Sequence, residues 1–310
     1  MAGEKNAFSF SSEAVNPEDL HAVAMIITPE ATPVYSALGD GWDVTNAFHE
    51  WEIDALAAPA ANAVQEGGTV TVNDHDLPIR LGNRTQIMDK GYYITTTQEA
   101  IAKKTGTRTT IGQRMLQAVK ELKRDANKAV IENAAVVAHA AAAPGQFGGL
   151  PYWMDKDNAT FGTYVNYIDA GSASLVEQNI IDAMQLIWAD MDTGNLVGFV
   201  SGNNKKRIDN FTGGAIRNKT KDDKKAGSVT DIYETSFGDV AFTKDRQMPD
   251  TDIFIIAPEY WKKGFLQPME NLNVTDSNNF TKHRIEKVVT LEMTMECRHP
   301  SAGCRILGLV

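Results

Sequence analysis

The sequence predicts an α+β fold, a mixed helix-and-sheet body carrying two extensions with too little apolar material to bury themselves. Three observations lead there. Ile111, Met115, Val119, Leu122, Ala126 and Val130 recur every three or four residues, which is one face of a long helix. Val289, Leu291, Met293, Met295 and Cys297 alternate with Val288, Thr290, Glu292, Thr294, Glu296 and Arg298, the period of two of a long strand. The first 47 residues and the stretch from Ala55 to Gln86 show neither sustained pattern nor a core of their own.

Along the chain, residues 1–47 read as an arm. They mix Pro17, Pro29 and Pro33 with Ser and Thr around one apolar patch, Val23 to Ile27, and are expected to be extended or disordered until they meet a partner. His49 to Asp54 follows, with Trp51 and Ile53 alternating with Glu50, Glu52 and Asp54 as in a half-exposed strand. A long projecting hairpin comes next. Thr69-Val70-Thr71-Val72 and Leu77-Pro78-Ile79-Arg80 flank a polar tip at Asn73-Asp74-His75-Asp76. A two-stranded ribbon of this composition is marginal alone and needs a surface to lie on.

A strand from Met88 to Thr96 leads to the long helix. Thr109-Thr110 supply its N-cap, and its period continues through the alanine run to Pro144-Gly145. A rod of that length would span about 45–50 Å. A second helix carries the capping box Ser174-Leu175-Val176-Glu177 and the apolar face Ile180, Ile181, Met184, Ile187, Trp188 and Met191. Leu196 to Val200, Val229 to Phe242 and Ile253 to Ala257 read as strands, with a basic loop over residues 203–225 among them. After the strand ending at Arg298, Pro300 to Gly303 turns the chain and Arg305 to Val310 returns.

The 310 residues are 43% hydrophobic and 23% charged, so a sizeable core is available. A net charge of −10 argues against a protein that coats nucleic acid with its whole surface. The charge is segregated: seven acids against one base over residues 1–48, four against eight over 98–144, seven against one over 145–200, and three against eight over 201–227. Alternating blocks suit a molecule that docks onto copies of itself, or they are solvated faces of both signs. Two cysteines form no disulfide framework, which points to a reducing compartment. The N-terminus has no signal-peptide pattern, and no apolar run is long enough to span a membrane.

No chemistry-bearing motif stands out. There is no GxGxxG after a strand, no P-loop, no HExxH, no GxSxG and no CxxC. Cys297 and Cys304 with His299 between them are too few ligands for zinc, and Cys297 fits a buried apolar position. The six histidines share no ligand spacing, and no paired titratable set points to catalysis. The sequence therefore predicts no catalytic residue, cofactor or metal. The basic loop 203–225 is the one functional-looking charge cluster, a contact for an acidic neighbouring subunit, for nucleic acid, or a solvated loop. Single-strand binding would want interleaved aromatics, and only Phe211 is present.

Arm, projecting hairpin, long helix, α/β unit and returning strands come in the order found in the major capsid proteins of tailed phages, the Hong Kong 97-like fold. Local stretches resemble one subfamily of these proteins: Asn83-Arg-Thr-Gln-Ile87, Leu116-Gln-Ala-Val-Lys-Glu-Leu-Lys-Arg-Asp125, Gly149-Leu-Pro-Tyr-Trp153, Phe211-Thr-Gly213, Asp231-Ile-Tyr-Glu-Thr-Ser-Phe-Gly238, and Ala257-Pro-Glu-Tyr-Trp261 with Leu266-Gln-Pro268. The resemblance implies an N-arm over residues 1–47, and an E-loop with its flanking strands over 48–97. It places a P-domain with its spine helix over 98–164, an A-domain over 165–265, and returning P-domain strands over 266–310. Hexamers and pentamers of the chain would close an icosahedral shell around double-stranded DNA, bound without sequence specificity. Trp51, Arg80, Arg84, Lys205, Lys206, Arg207 and Arg217 are the expected subunit-contact residues. The implied partners are further copies, a separate scaffolding protein, a portal and a decoration or cement protein, with assembly in the host cytoplasm. Some relatives crosslink through an E-loop lysine, but residues 52–89 contain none, so no such crosslink is expected.

Three other readings compete. An encapsulin-like compartment shell would share the fold and differ in what it encloses. A soluble enzyme on the α/β unit would need a pocket with convergent polar groups and a small oligomeric state. DNA binding through residues 203–225 would show a steep salt dependence.

Overall fold

The computed structural model describes residues 28, 31–54, 56, 59–61, 63–68, 77–105, 111–141, 143–155, 157, 165–191, 195–211, 232–274 and 283–310. The elements in chain order are α1 (Pro33–Ala37), β1 (Gly39–Asp40), β2 (Phe48–Ile53), β3 (Ile79–Arg84), β4 (Gln86–Thr95), α2 (Thr96–Thr105), α3 (Ile111–Glu132), α4 (Leu150–Trp153), β5 (Asn166–Ala173), α5 (Glu177–Asp190), β6 (Leu196–Val200), α6 (Gly202–Asp209), β7 (Ile232–Thr235), β8 (Gly238–Lys244), β9 (Ile253–Ile256), β10 (Trp261–Asn273), β11 (Arg284–Cys297) and β12 (Gly303–Leu309). No helix among the described residues is long and apolar enough to cross a membrane.

Two sheets organise the body. The first has the order β1-β10-β11-β4, built on the long antiparallel pair of β10 and β11. The alternation of β11 works as the sequence predicts: Val289, Leu291, Met293, Met295 and Cys297 are buried. They join Leu122, Ala126, Val130 and Ile131 of α3 in one apolar cluster. The second sheet has the order β5-β12-β9-β6-β8-β7. Ile180, Ala183, Met184 and Ile187 of α5 pack with Leu196, Val200, Ile253 and Ile255 in its cluster. Strand β9 serves both cores, because its period of two sends Phe254 and Ile256 to the first and Ile253 and Ile255 to the second. A separate two-stranded ribbon pairs β2 with β3.

Several expectations change. The long helix α3, expected to reach Pro144, has 22 residues, about 33 Å, and stops before the alanine run. Alanine favours continuation, but Asn133 is claimed from outside. Its side-chain amide donates to Gln86 Oε1 and to the Phe147 carbonyl, each at 2.9 Å, and its carbonyl accepts the Gly149 N–H at 2.9 Å. A Cβ at position 149 would lie 2.5 Å from the Val130 carbonyl, so only glycine lets the chain cross the helix end this closely. The alanines turn instead through the bridges Val137–Gln146 and Ala140–Ala143. The expected cap Thr109-Thr110 lies outside the described residues.

The capping box at Ser174 does not form. Helix α5 begins at Glu177, with Val176 as an N-cap that makes no side-chain bond. The Glu177 carboxylate is engaged elsewhere, accepting from the Tyr233 hydroxyl at 2.6 Å. The last strand does not fold back on β11. β12 crosses to the six-stranded sheet and inserts between β5 and β9, where Cys304, Ile306 and Leu309 are buried. Helix α2 has no apolar stripe and left no sequence signal.

The described part of the N-terminal arm lies on its own subunit. Val34 and Leu38 are buried, the Tyr35 N–H donates to Asn127 Oδ1 at 2.8 Å, and Lys263 Nζ donates to the Leu38 carbonyl at 2.7 Å. The patch Val23 to Ile27 lies outside the described residues.

Candidate assembly surfaces

The ribbon is fastened at its root. β2 and β3 pair from Phe48–Arg84 to Ile53–Ile79, so Trp51 and Leu81 fall on the face turned to the body. Trp51 Nε1 donates to the Cys297 carbonyl at 2.8 Å, and its ring lies 5.4 Å from that of Trp153. Asn83 Nδ2 donates to the carbonyls of Met295 at 2.7 Å and Gly148 at 3.0 Å, while its Oδ1 accepts the Gly148 N–H at 2.8 Å. Thr85 Oγ1 donates to Glu292 Oε1 at 2.6 Å. A fully buried amide with its polar atoms paired is a strong positional constraint.

The outer face of the ribbon carries charge. The Arg84 guanidinium lies 4.9 Å above the Phe48 ring, and Arg80 faces Glu52 at 3.6 Å with both side chains exposed. Beyond the root the character changes. Leu56, Val64 and Leu77 are 101%, 72% and 89% exposed. The expected strand 69–72 and the tip 73–76 lie outside the described residues.

The first part of the basic segment, to Asp209, is a helix where a loop was expected. Ser201 Oγ caps α6 by accepting the Asn204 N–H at 3.3 Å. Lys205 is buried and faces Asp209 at 3.5 Å, the i,i+4 spacing of one helical face. Arg207 donates to Asn204 Oδ1 at 3.2 Å and to the Val310 carbonyl. The amides of Asn203 and Asn204 reach Asp250, whose carboxyl is held below the usual range by bonds from Ser201 and Asn203. Lys206 faces solvent. Phe211 closes the described part of this region, and Arg217 and the remaining lysines lie outside it.

Of the expected contact residues, Arg80 and Arg84 lie on the outer ribbon face and Lys206 on the surface of α6. Trp51 and Lys205 are inside their own subunit. Trp51 is buried on the apolar face of the half-exposed strand that the period of two predicts, so it faces its own body and not a neighbour. Sequence reasoning missed Asn83, Thr85 and Glu296, polar residues whose importance comes from partners far along the chain.

The described residues contain no group of three or more His, Cys, Asp or Glu able to hold a metal ion. Cys297 and Cys304 are free and buried, and burial pushes both thiols up. A cavity of about 420 Å³ lies between the far end of the root and the turn at 298–301, lined by Ile53, Ile79, Asp190, Arg298 and His299. Burial lowers the His299 pKa, with Asp190 opposing the shift. A charged cleft of about 450 Å³ runs along α3 beside Lys90 and Arg124.

The architecture is shared with viral shells. The capsid of cyanophage A-1(L) superposes with a TM-score of 0.68 at 10% identity, over 96% of this chain and 98% of that one. The capsid of cyanophage P-SCSP1u gives 0.65 at 9% identity, over 96% and 94%. The capsid of an empty GTA particle gives 0.61 at 12% identity, over 99% and 100%. At these identities the likeness shows the fold, which is that of the Hong Kong 97-like phage capsid proteins. A comparison with curated protein sequences finds no match. The family model of the SU10 major capsid protein matches residues 4–310, and the chain belongs to that family: it is a major capsid protein of a tailed phage, a subunit of an icosahedral capsid.

Proposed function

We propose that the subunits group into hexamers and pentamers whose shell encloses packaged double-stranded DNA, with the ribbon of each copy reaching over the next. The observation that carries this reading is the exposure of Leu56, Val64 and Leu77, described residues of an arm whose root is fastened to its own subunit. Apolar side chains at that exposure are stabilised by burial against a neighbour, at roughly 25 cal/mol per Å² of apolar surface. A contact between an arm and a different surface of the next copy is heterologous, and it closes into rings where its rotation divides a full turn. Subunit contacts run along Arg80 and Arg84 on the ribbon and along Lys206 on α6, with Arg217 in the segment that follows. Trp51, Lys205 and Arg207 hold the parts that present them.

The net charge of −10 keeps the wall from trapping the DNA it encloses. The role is structural, with no catalytic residues, within the virion, after assembly in the host cytoplasm. A separate scaffolding protein shapes the shell, and a portal and a cement or decoration protein complete it. The test is negative-stain microscopy of the purified chain expressed with and without its scaffolding partner. Closed shells with the partner and irregular material without it are expected; monomers under both conditions overturn the reading. With no lysine between residues 52 and 89, the shell is held by non-covalent contacts. Mature particles boiled in detergent should run as monomer on a denaturing gel, and a ladder would show otherwise.

A further inference from the structure

Three chain segments meet at one buried carboxylate. Glu296, on β11, is 0% exposed. Its Oε2 accepts the N–H of Trp42 from the N-terminal segment at 3.3 Å. The same oxygen faces His49 Nε2, on ribbon strand β2, at 3.6 Å. Its Oε1 accepts from Arg298 Nε at 2.6 Å, and the Arg298 guanidinium lies 4.1 Å over the Trp42 ring. His49 Nε2 is buried and has no hydrogen-bond partner among the described residues, so the carboxylate is the group it meets. Gly41 lets the loop come this close, since a Cβ there would sit 2.8 Å from Oε2. Lys262, opposite Glu296 on β10, directs its ammonium toward Gly39, and Asp43 on the same loop is exposed. The cavity of about 420 Å³ beneath Ile53 and Ile79 leaves the far end of the root room to move.

We infer that Glu296 is a positioning residue for assembly, a single carboxylate that ties the Gly41–Trp42 loop to the ribbon root and so couples the direction of the arm to the seating of the N-terminal segment. Its consequence for the shell rests on the arm being the subunit contact proposed above; the tie itself belongs to the single subunit. Removing the charge leaves Trp42, His49 and Arg298 around one neutral carbonyl oxygen where they shared a carboxylate, and weakening the acceptor of a buried donor is unfavourable. Burial alone would raise the Glu296 carboxyl, but the His49 ring beside it, the bond from Arg298 and the bond from the Trp42 amide outweigh it and hold the carboxyl below its usual range. A carboxyl depressed in the folded state contributes fully above its unfolded pKa and loses that contribution as pH falls through the folded value. Acid therefore releases the tie as the Glu296 carboxyl takes its proton.

The test is hydrogen exchange, read by mass spectrometry on the full-length subunit and corrected for intrinsic rates. It follows residues 39–43 and the sequence-distant strand 79–84, from neutral pH down to about pH 3, below the ordinary carboxylate range. Glu296→Gln should speed exchange roughly tenfold in both segments at neutral pH and flatten the acid-dependent rise seen in the parent, the loss of one charged hydrogen-bonded acceptor. Trp51→Phe should speed exchange in the ribbon alone. Unchanged protection at 39–43 in Glu296→Gln, or an unaltered acid profile, overturns the inference. If that variant does not fold, His49→Asn serves, because the coupling predicts faster exchange at 39–43 and no change there refutes it. Intact coupling in a chain that forms no shells would support the tie and count against the assembly reading.

Discussion

The root and the arm of the ribbon are parts of one excursion of the chain, yet they obey different rules. At the root, inward polar groups reach partners far along the chain: Trp51 the Cys297 carbonyl, Asn83 Met295 and Gly148, Thr85 Glu292. Along the arm, Leu56, Val64 and Leu77 face water. The root is completed within the subunit, while in the proposed assembly the arm is completed by another copy. Fastening one and leaving the other open lets a rigid body present an adaptable contact, which a shell built from one chain at several local angles requires.

The comparison can be broken or sharpened in steps of decreasing effect on the lone subunit. Trp51→Ala removes a buried aromatic and its hydrogen bond and should destabilise the unassembled subunit by about 3–5 kcal/mol, read as a lower denaturant midpoint. A shift under about 1 kcal/mol would mean that the root is less firmly held than its geometry implies. Arg80→Ala breaks an exposed ion pair with Glu52 and should shift the same midpoint by about 0.5 kcal/mol or less, with the shift fading in salt. Leu56→Ser with Leu77→Ser should leave the subunit midpoint within about 0.5 kcal/mol of the parent, since these side chains are already in water. The same double variant should nevertheless lose shell formation by light scattering; normal shells would place the subunit contact elsewhere.

Much of the body was legible from periodicity. The alternation along β11, the Trp51 strand and the apolar face of α5 each encode the burial of one face, and burial of one face is what a period of two or 3.6 records. The end of α3 was not legible, because the alanine run prefers helix and only Asn133 and the crossing at Gly149 stop it. The partner of β12 was not legible either. A turn at Pro300 to Gly303 says that the chain reverses, not which sheet receives it. Of the residues expected at subunit contacts, Arg80 and Lys206 are exposed, but Lys205 is drawn into α6 by Asp209, a pairing that no local pattern announces.

By itself, the chain's order of residues determined which stretches can form buried helices and strands, that two stretches lack the apolar content for a core, and that the protein is acidic overall. Tertiary structure decided where those elements stop, which sheet the last strand joins, and which polar residues are pinned. Trp51 finds its acceptor 246 positions away and Asn83 one of its own 212 away. A local pattern records which face of an element is buried; the identity of a distant hydrogen-bond partner depends on the packing of the whole chain, and no local period carries it.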